Sequence, residues 1–372
     1  MTDSPIWEPD VLPGYESLTL PLQPDDEGEV VATLVRRAVR DDEDLPDVGV
    51  DLLYVHGWVD YFFQTHLAEF WERLGVRFYA LDLRKYGRSI RPYQTPGYVT
   101  SLRTYDEDIE AALTVIGHGE GADGRSPARK LIVMGHSTGG LILSLWAANH
   151  QDRLAGVVLN SPWLEFQTRE VGRKVLEPGI RAHAALAPRS HLVNVDQGFY
   201  VRSVSSRYDG GWEYNSAWRP DTGWRPTPAW LAAIFRGHER VAHGLGINAP
   251  VLVLLSTRST PPVRWTDDMM WTDSVLDVVG IARRVPDLGH LVTLARIDGA
   301  LHDVTLSAPE VRDVVWRETA RWFHGYVAPP PPPPPDPPPA PAGPPWPRWL
   351  DRLDRLAARA PEPSRALPRA RR

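Results

Sequence analysis

Leu131-Ile132-Val133-Met134-Gly135-His136-Ser137-Thr138-Gly139-Gly140-Leu141 is the stretch on which the fold turns. An apolar run enters G-x-S-x-G, and a second apolar run, Leu141 to Ala148, leaves it. The order is strand, sharp turn, helix. A serine hydroxyl is a poor nucleophile unless it is held exposed beside a base. A tight strand-to-helix turn does this, because glycines let the backbone bend and the serine projects from the tip. The bare five-residue pattern also fits an ordinary turn with a buried serine. The flanking strand, the flanking helix and Gly140 favour Ser137 as a nucleophile.

Outward from this turn the pattern repeats. Residues 16–22 and 29–37 read as two early strands joined by the polar turn Asp25-Asp26-Glu27-Gly28. Val50 to Val55 is a short apolar strand ending at His56-Gly57, and Val76 to Leu83 is another. Residues 61–74 and 102–116 carry apolar side chains at helical spacing. Leu154 to Leu159 is a further strand, closed by Asn160-Ser161-Pro162. Short buried strands alternating with helices imply a mostly parallel sheet covered on both faces.

Over residues 162–248 the rhythm breaks. Prolines and glycines are frequent there, and so are large aromatics such as Trp163, Tyr200, Trp212, Trp218, Trp224 and Trp230. Alternation resumes with the strand Val251 to Leu255, a helical stretch at 275–284, a strand at 290–297 and a helix at about 309–325. The middle block is thus inserted at the carboxyl edge of a parallel sheet, where ligands bind, and reads as a lid or cap. From Pro329 the composition changes to a polyproline stretch, a stiff spacer. The chain is therefore read as an α/β core over 1–161 and 249–327, a cap over 162–248, a proline-rich linker over 328–347, and an amphipathic helix with a basic tail over 348–372.

Composition limits the function. The 372 residues carry a net charge of -6, which argues against nucleic acid as a partner. There is no cysteine, so disulfides and thiolate chemistry are excluded. No transmembrane segment and no signal peptide is apparent, and a cytoplasmic location is the default expectation. The tail offers a candidate contact with a membrane surface or a partner protein, although a disordered spacer is the plainer reading.

A serine nucleophile needs a base, and the base an orienting carboxylate. With a strand–turn–helix serine, the acid follows the strand at 251–255 and the histidine follows the next strand. His302 meets this condition; His290, the rival, precedes that strand and belongs at its other end. The acid candidates are Asp267, Asp268, Asp273 and Asp277. One helix and one strand must fit between acid and histidine, about 30 residues, and Asp273 fits best. Oxyanion donors are expected from the backbone N–H of Thr138, at a helix start, and of Trp58, in His56-Gly57-Trp58 after the strand at 50–55. His56 and His136 are expected to be structural.

With Tyr54-Val55-His56-Gly57-Trp58, Asp82-Leu83-Arg84-Lys85-Tyr86-Gly87-Arg88-Ser89, Gly135-His136-Ser137-Thr138-Gly139-Gly140 and the Asp273/His302 pair, the chain resembles the α/β-hydrolase superfamily. Within it, the chain is similar to the branch of monoacylglycerol lipases, lysophospholipases and serine aminopeptidase-like proteins, over about residues 28–326. The resemblance implies an α/β-hydrolase fold with an eight-stranded, mostly parallel sheet, a helical cap after the sixth strand and a Ser-His-Asp triad. Asp273-Ser274-Val275-Leu276-Asp277 resembles the acid loop of that branch, whose first aspartate is catalytic. Lys85 stands where the branch usually has glycine, His302 lacks a preceding glycine, the Leu255–Asp273 loop is longer than usual, and the proline-rich tail has no counterpart. The implied activity is a serine hydrolase cleaving an apolar carboxylic ester, such as a monoacylglycerol or lysophospholipid, without metal or organic cofactor. A small-peptide aminopeptidase and a non-catalytic binder of hydrophobic ligands are the alternatives.

Overall fold

The computed structural model describes residues 6–38, 46–119, 129–167, 169–193 and 196–328. The proline-rich segment and the stretch after it lie outside the described residues. Among the described residues, nine strands form one sheet in the order β1-β2-β3-β5-β4-β6-β7-β8-β9. They are β1 (Glu8–Pro9), β2 (Tyr15–Asp25), β3 (Gly28–Arg37), β4 (Val50–Val55), β5 (Val76–Asp82), β6 (Lys130–His136), β7 (Gly156–Asn160), β8 (Val251–Ser256) and β9 (Val292–Ile297). The first three pair antiparallel and β3 joins β5 antiparallel; from β5 to β9 every pairing is parallel.

The helices are α1 (Thr65–Arg73), α2 (Tyr105–Val115), α3 (Thr138–Asn149), α4 (Arg169–Leu186), α5 (Phe199–Val204), α6 (Pro228–Ala242), α7 (Val278–Arg284) and α8 (Pro309–Tyr326). This is an α/β-hydrolase fold. The sheet has one strand more than the expected eight, because β1 is a two-residue edge pairing too short to leave a sequence pattern. Counted with β1, the helical insertion follows the seventh strand, β7. Two helix starts also differ. Residues 61–64 are a loop, so Tyr61, Phe62 and Phe63 are buried by loop packing. The helix expected from 275 begins at Val278, capped by Asp277, whose Oδ1 accepts from Val279 N–H.

Period-2 alternation puts successive side chains on opposite faces of the sheet. On β4, Leu53 and Val55 join one core, with Val133, Leu159 and Val253 from the neighbouring strands. Leu52 and Tyr54 join the other, with Ile132, Val158 and Leu252. The first core is covered by α2, α3, α6 and α7, the second by α1 and α8. Every residue of β4, β7 and β8 is buried, which is why those strands read as short apolar runs; Asp51, inside β4, is paired with His118 and Arg129.

The order reverses at β4: the chain moves from it to β5 on one side, then returns to β6 on the other. Such a switch point leaves a crevice at the carboxyl ends of the strands. Register sets its walls, pairing Val55 with Gly135 and His136 with Asn160. The turns after β4 and β6 and the end of β7 therefore lie side by side.

Candidate active site

The turn after β6 forces Ser137 into φ 51°, ψ −115°, a conformation that side chains disfavour. Its flanking glycines answer to close approach. A Cβ at Gly139 would lie 2.3 Å from the His56 carbonyl oxygen, and one at Gly135 would lie 2.5 Å from that of Gly139. The turn is pinned by Ser137 N–H donating to the Asn160 carbonyl at 3.0 Å and by the Ser137 carbonyl accepting from Trp163 N–H at 3.0 Å. Ser137 is 8% exposed.

The loops after β8 and β9 bring Asp273 and His302 to this serine. His302 Nε2 lies 3.0 Å from Ser137 Oγ, and its Nδ1 lies 2.9 Å from Asp273 Oδ2. The other oxygen, Asp273 Oδ1, accepts from Val275 N–H and Leu276 N–H at 2.8 Å each. An acceptor-only carboxylate on Nδ1 requires the ring proton there and leaves Nε2 free to accept from the serine. The long acid loop is stitched by its own side chains. Ser259 Oγ donates to the Leu276 carbonyl at 2.6 Å and accepts from Val278 N–H at 2.9 Å.

The other sequence candidates stand elsewhere. Asp277 caps α7, Asp267 and Asp268 open a 3-10 turn at Asp267–Met270, and His290 is exposed ahead of β9, with its N–H on the Ile247 carbonyl. His56 accepts from Leu83 N–H at Nε2, 3.1 Å, so its proton is on Nδ1, 2.8 Å from the Gly57 carbonyl. His136 is buried beside the His302 ring, with Nδ1 3.2 Å from the Asn160 carbonyl. Burial lowers the pKa of both His56 and His136 and keeps them neutral.

Trp58 begins the loop after β4, beside the serine: a Cβ on its neighbour Gly57 would lie 3.1 Å from Ser137 Cβ. Thr138 is the first residue of α3. Val59, next in that loop, has φ 53°, an unusual conformation for a β-branched residue. The loop is held from below by Asp82, which accepts from Phe62 N–H at 2.9 Å and from Arg88 Nη1 at 2.8 Å. Trp58, Trp224 and Trp230 pack together at this loop as part of the first core. The Trp58 ring is 3.9 Å from that of Trp230 and 5.9 Å from that of Trp224, both in the 162–248 insertion.

Several polar groups around the site had no recognisable motif. Asp303 is buried, and its Oδ1 accepts from Asn160 Nδ2 at 2.6 Å, Thr305 Oγ1 at 2.6 Å and Thr305 N–H at 2.9 Å. Burial opposes its charge, but these hydrogen bonds prevail and hold its carboxyl below the ordinary carboxylate range. Asp60, after Trp58 and Val59, faces Arg219 of the insertion at 3.8 Å, both side chains being nearly inaccessible. Burial pushes the Asp60 carboxyl up, against the pull of Arg219. Only adjacency to a predicted site residue could have flagged Asp60 and Asp303. Among the described residues, no group of three or more His, Cys, Asp or Glu side chains is arranged to hold a metal ion, and no helix is long and apolar enough to cross a membrane.

A nucleophile turn at a sheet's switch point, with imidazole and carboxylate in line, defines a serine hydrolase of the α/β-hydrolase class. Residues 51–260, more than half of the chain, match the family described as serine aminopeptidase, S33, and the chain belongs to that family. No curated protein sequence matches it. Among solved structures, the chain is similar to a soluble variant of monoglyceride lipase from Saccharomyces cerevisiae, at 16% identity and TM-score 0.55, over 88% of this chain and 97% of that one. It is also similar to the monoacylglycerol lipase of Paleococcus ferrophilus, at 21% identity and TM-score 0.55, over 76% and 96%. A third is a thermostable carboxyl esterase from Bacillus coagulans, at 15% identity and TM-score 0.56, over 84% and 99%. At these identities the likeness is one of fold.

Proposed function

We propose that the protein hydrolyses carboxylic esters of apolar acids through an acyl-enzyme formed on Ser137. His302 takes the serine proton as Oγ attacks the ester carbonyl, and Asp273 holds the imidazole and stabilises its cation. The backbone N–H groups of Trp58 and Thr138 bind the oxyanion. His302 then protonates the departing alcohol and activates the water that releases the acid. The observation that carries this reading is the unbroken line Ser137–His302–Asp273, with contacts of 3.0 and 2.9 Å. Trp58, beside the nucleophile, packs on Trp224 and Trp230 of the insertion, an apolar setting that favours an acyl chain or aromatic acid, and residues 162–248 act as the cap. The named relatives of similar fold, lipases and an esterase, agree with this substrate class.

The test is a panel of p-nitrophenyl esters of graded chain length beside an aminoacyl p-nitroanilide, with labelling by a fluorophosphonate. Ester turnover and labelling are expected, and Ser137→Ala should abolish both, lowering turnover by at least about 10³-fold. Turnover of the anilide alone would move the assignment to a peptidase. Folded protein that neither turns over nor labels would refute the enzyme reading.

A further inference from the structure

The residue after His302 gathers three other parts of the molecule onto itself. From the end of β7, Asn160 Nδ2 donates to Asp303 Oδ1 at 2.6 Å, while Asn160 Oδ1 accepts from Val304 N–H at 3.1 Å. The backbone carbonyl of the same asparagine accepts Ser137 N–H at 3.0 Å. One residue thus holds the serine turn by its main chain and the histidine loop by its side chain. From the loop after β4, Gln64 Nε2 donates to Asp303 Oδ2 at 3.2 Å, while Gln64 Oε1 accepts from Phe63 N–H at 3.0 Å. From α5 in the insertion, Tyr200 Oη accepts Asp303 N–H at 3.1 Å, and its ring lies edge-on to the His302 ring at 5.4 Å. Asn160, Gln64 and Asp303 are all buried.

Four donors hold the buried carboxylate of Asp303, and each ties it to the element that carries that donor. What it fixes is the spacing between the loop of His302 and the turn of Ser137. We propose that Asp303 is a positioning residue: with Asn160, Gln64 and Tyr200 it clamps the histidine loop at hydrogen-bond distance from the nucleophile, and the cap, through Tyr200, is part of that clamp. The inference rests on the Ser137–His302 reading above. It goes beyond it, because neither serine, histidine nor Asp273 needs Asp303 as a direct partner.

The experiment compares wild type with Asp303→Ala, Asp303→Asn and Tyr200→Phe. It measures the fluorophosphonate labelling rate per folded molecule, kcat and KM on a short p-nitrophenyl ester, the melting temperature, and the far-downfield proton resonance of the His302 Nδ1–H shared with Asp273. Asp303→Ala should slow labelling and kcat about 100-fold with KM little changed, since small misplacements of reacting groups carry penalties of that size. Asp303→Asn keeps an oxygen for Asn160 and Thr305 but turns an N–H at Gln64, and about a tenfold loss is expected. Tyr200→Phe should slow labelling several-fold at an unchanged melting temperature. The downfield resonance should broaden in the same order. Where Asp303→Ala does not fold, the asparagine and phenylalanine variants carry the test. Wild-type labelling rate and an unaltered resonance in Asp303→Asn would overturn the proposal. A wild type that neither labels nor hydrolyses esters would refute the enzyme reading, and the resonance would still decide whether Asp303 positions the ring.

Discussion

Asp273 shows how one side chain sets the chemistry of another. Its Oδ1 is committed to Val275 N–H and Leu276 N–H, so only Oδ2 faces His302. In Asp273→Asn the amide oxygen must stay with those two N–H donors, which turns the NH2 group toward Nδ1. The ring then carries its proton on Nε2 and can no longer accept from Ser137. We expect kcat to fall by about 10⁴ with KM little changed and the melting temperature near wild type, read in stopped-flow acylation and calorimetry. A loss under tenfold would show that the ring does not need this orienter. The three residues of this line were legible because each follows a strand in a fixed order, and the serine sits in a motif with a steric reason for every glycine. Asn160, Gln64 and Asp303 were not legible. Their contacts span 143 and 239 positions in the chain, and nothing local in the sequence encodes a pairing at that range.

At the scale of elements, the departure at Lys85 explains itself. Lys85 has φ 65°, the left-handed region that glycine adopts without cost, and glycine is the residue usual at this point of the motif. The lysine is fully buried and meets Asp25 Oδ2 and Glu27 Oε2 at 2.5 Å each. It thereby ties the β2–β3 turn to the loop after β5. Arg189 of the insertion pairs with Asp26 in the same turn and lies over the Tyr98 ring, so the insertion is anchored there too. Lys85→Met removes the lysine between two partly buried carboxylates and leaves Arg189 Nε, 3.6 Å from Glu27 Oε1, as a remaining cation beside them. We expect a loss of about 3 kcal/mol in urea unfolding, with ester turnover at low temperature retained. An unchanged midpoint would mean that water serves those carboxylates equally well. The central strands and α3 were readable as apolar runs because they are buried nearly all round, and α8 by its 3.6-residue spacing because one face alone is buried. The helices of the insertion were less so. Helix α4 contains Pro178 and exposes Val171, Val175 and Leu186, so neither breaker nor apolar spacing marks it.

For the whole molecule, acid stability depends on histidines that the fold keeps neutral. His238, on α6, is wholly buried where the insertion packs on the core, with Nε2 2.9 Å from the Trp163 carbonyl. Burial pushes its pKa down to about 4; Glu165 and the carbonyl pull upward, while Arg173 and Arg284 push further down. The carbonyl accepts a hydrogen bond from Nε2–H, so a second proton would go to Nδ1, which has no hydrogen-bond partner among the described residues. In the unfolded chain the same imidazole titrates near 6.5. Between those values the unfolded state binds the proton and the folded state does not, so stability falls as pH drops from about 6.5 toward 4. At pH 4.5 the loss from this residue is about 2 kcal/mol relative to pH 7. His238→Gln keeps an N–H for Trp163 and has no such proton to bind. Its unfolding free energy should therefore fall less than that of wild type between pH 7 and 4.5, by about that amount, in urea titrations at the two values. Parallel losses in the two proteins would show that the buried imidazole takes up its proton without opening the junction of α6 with the core.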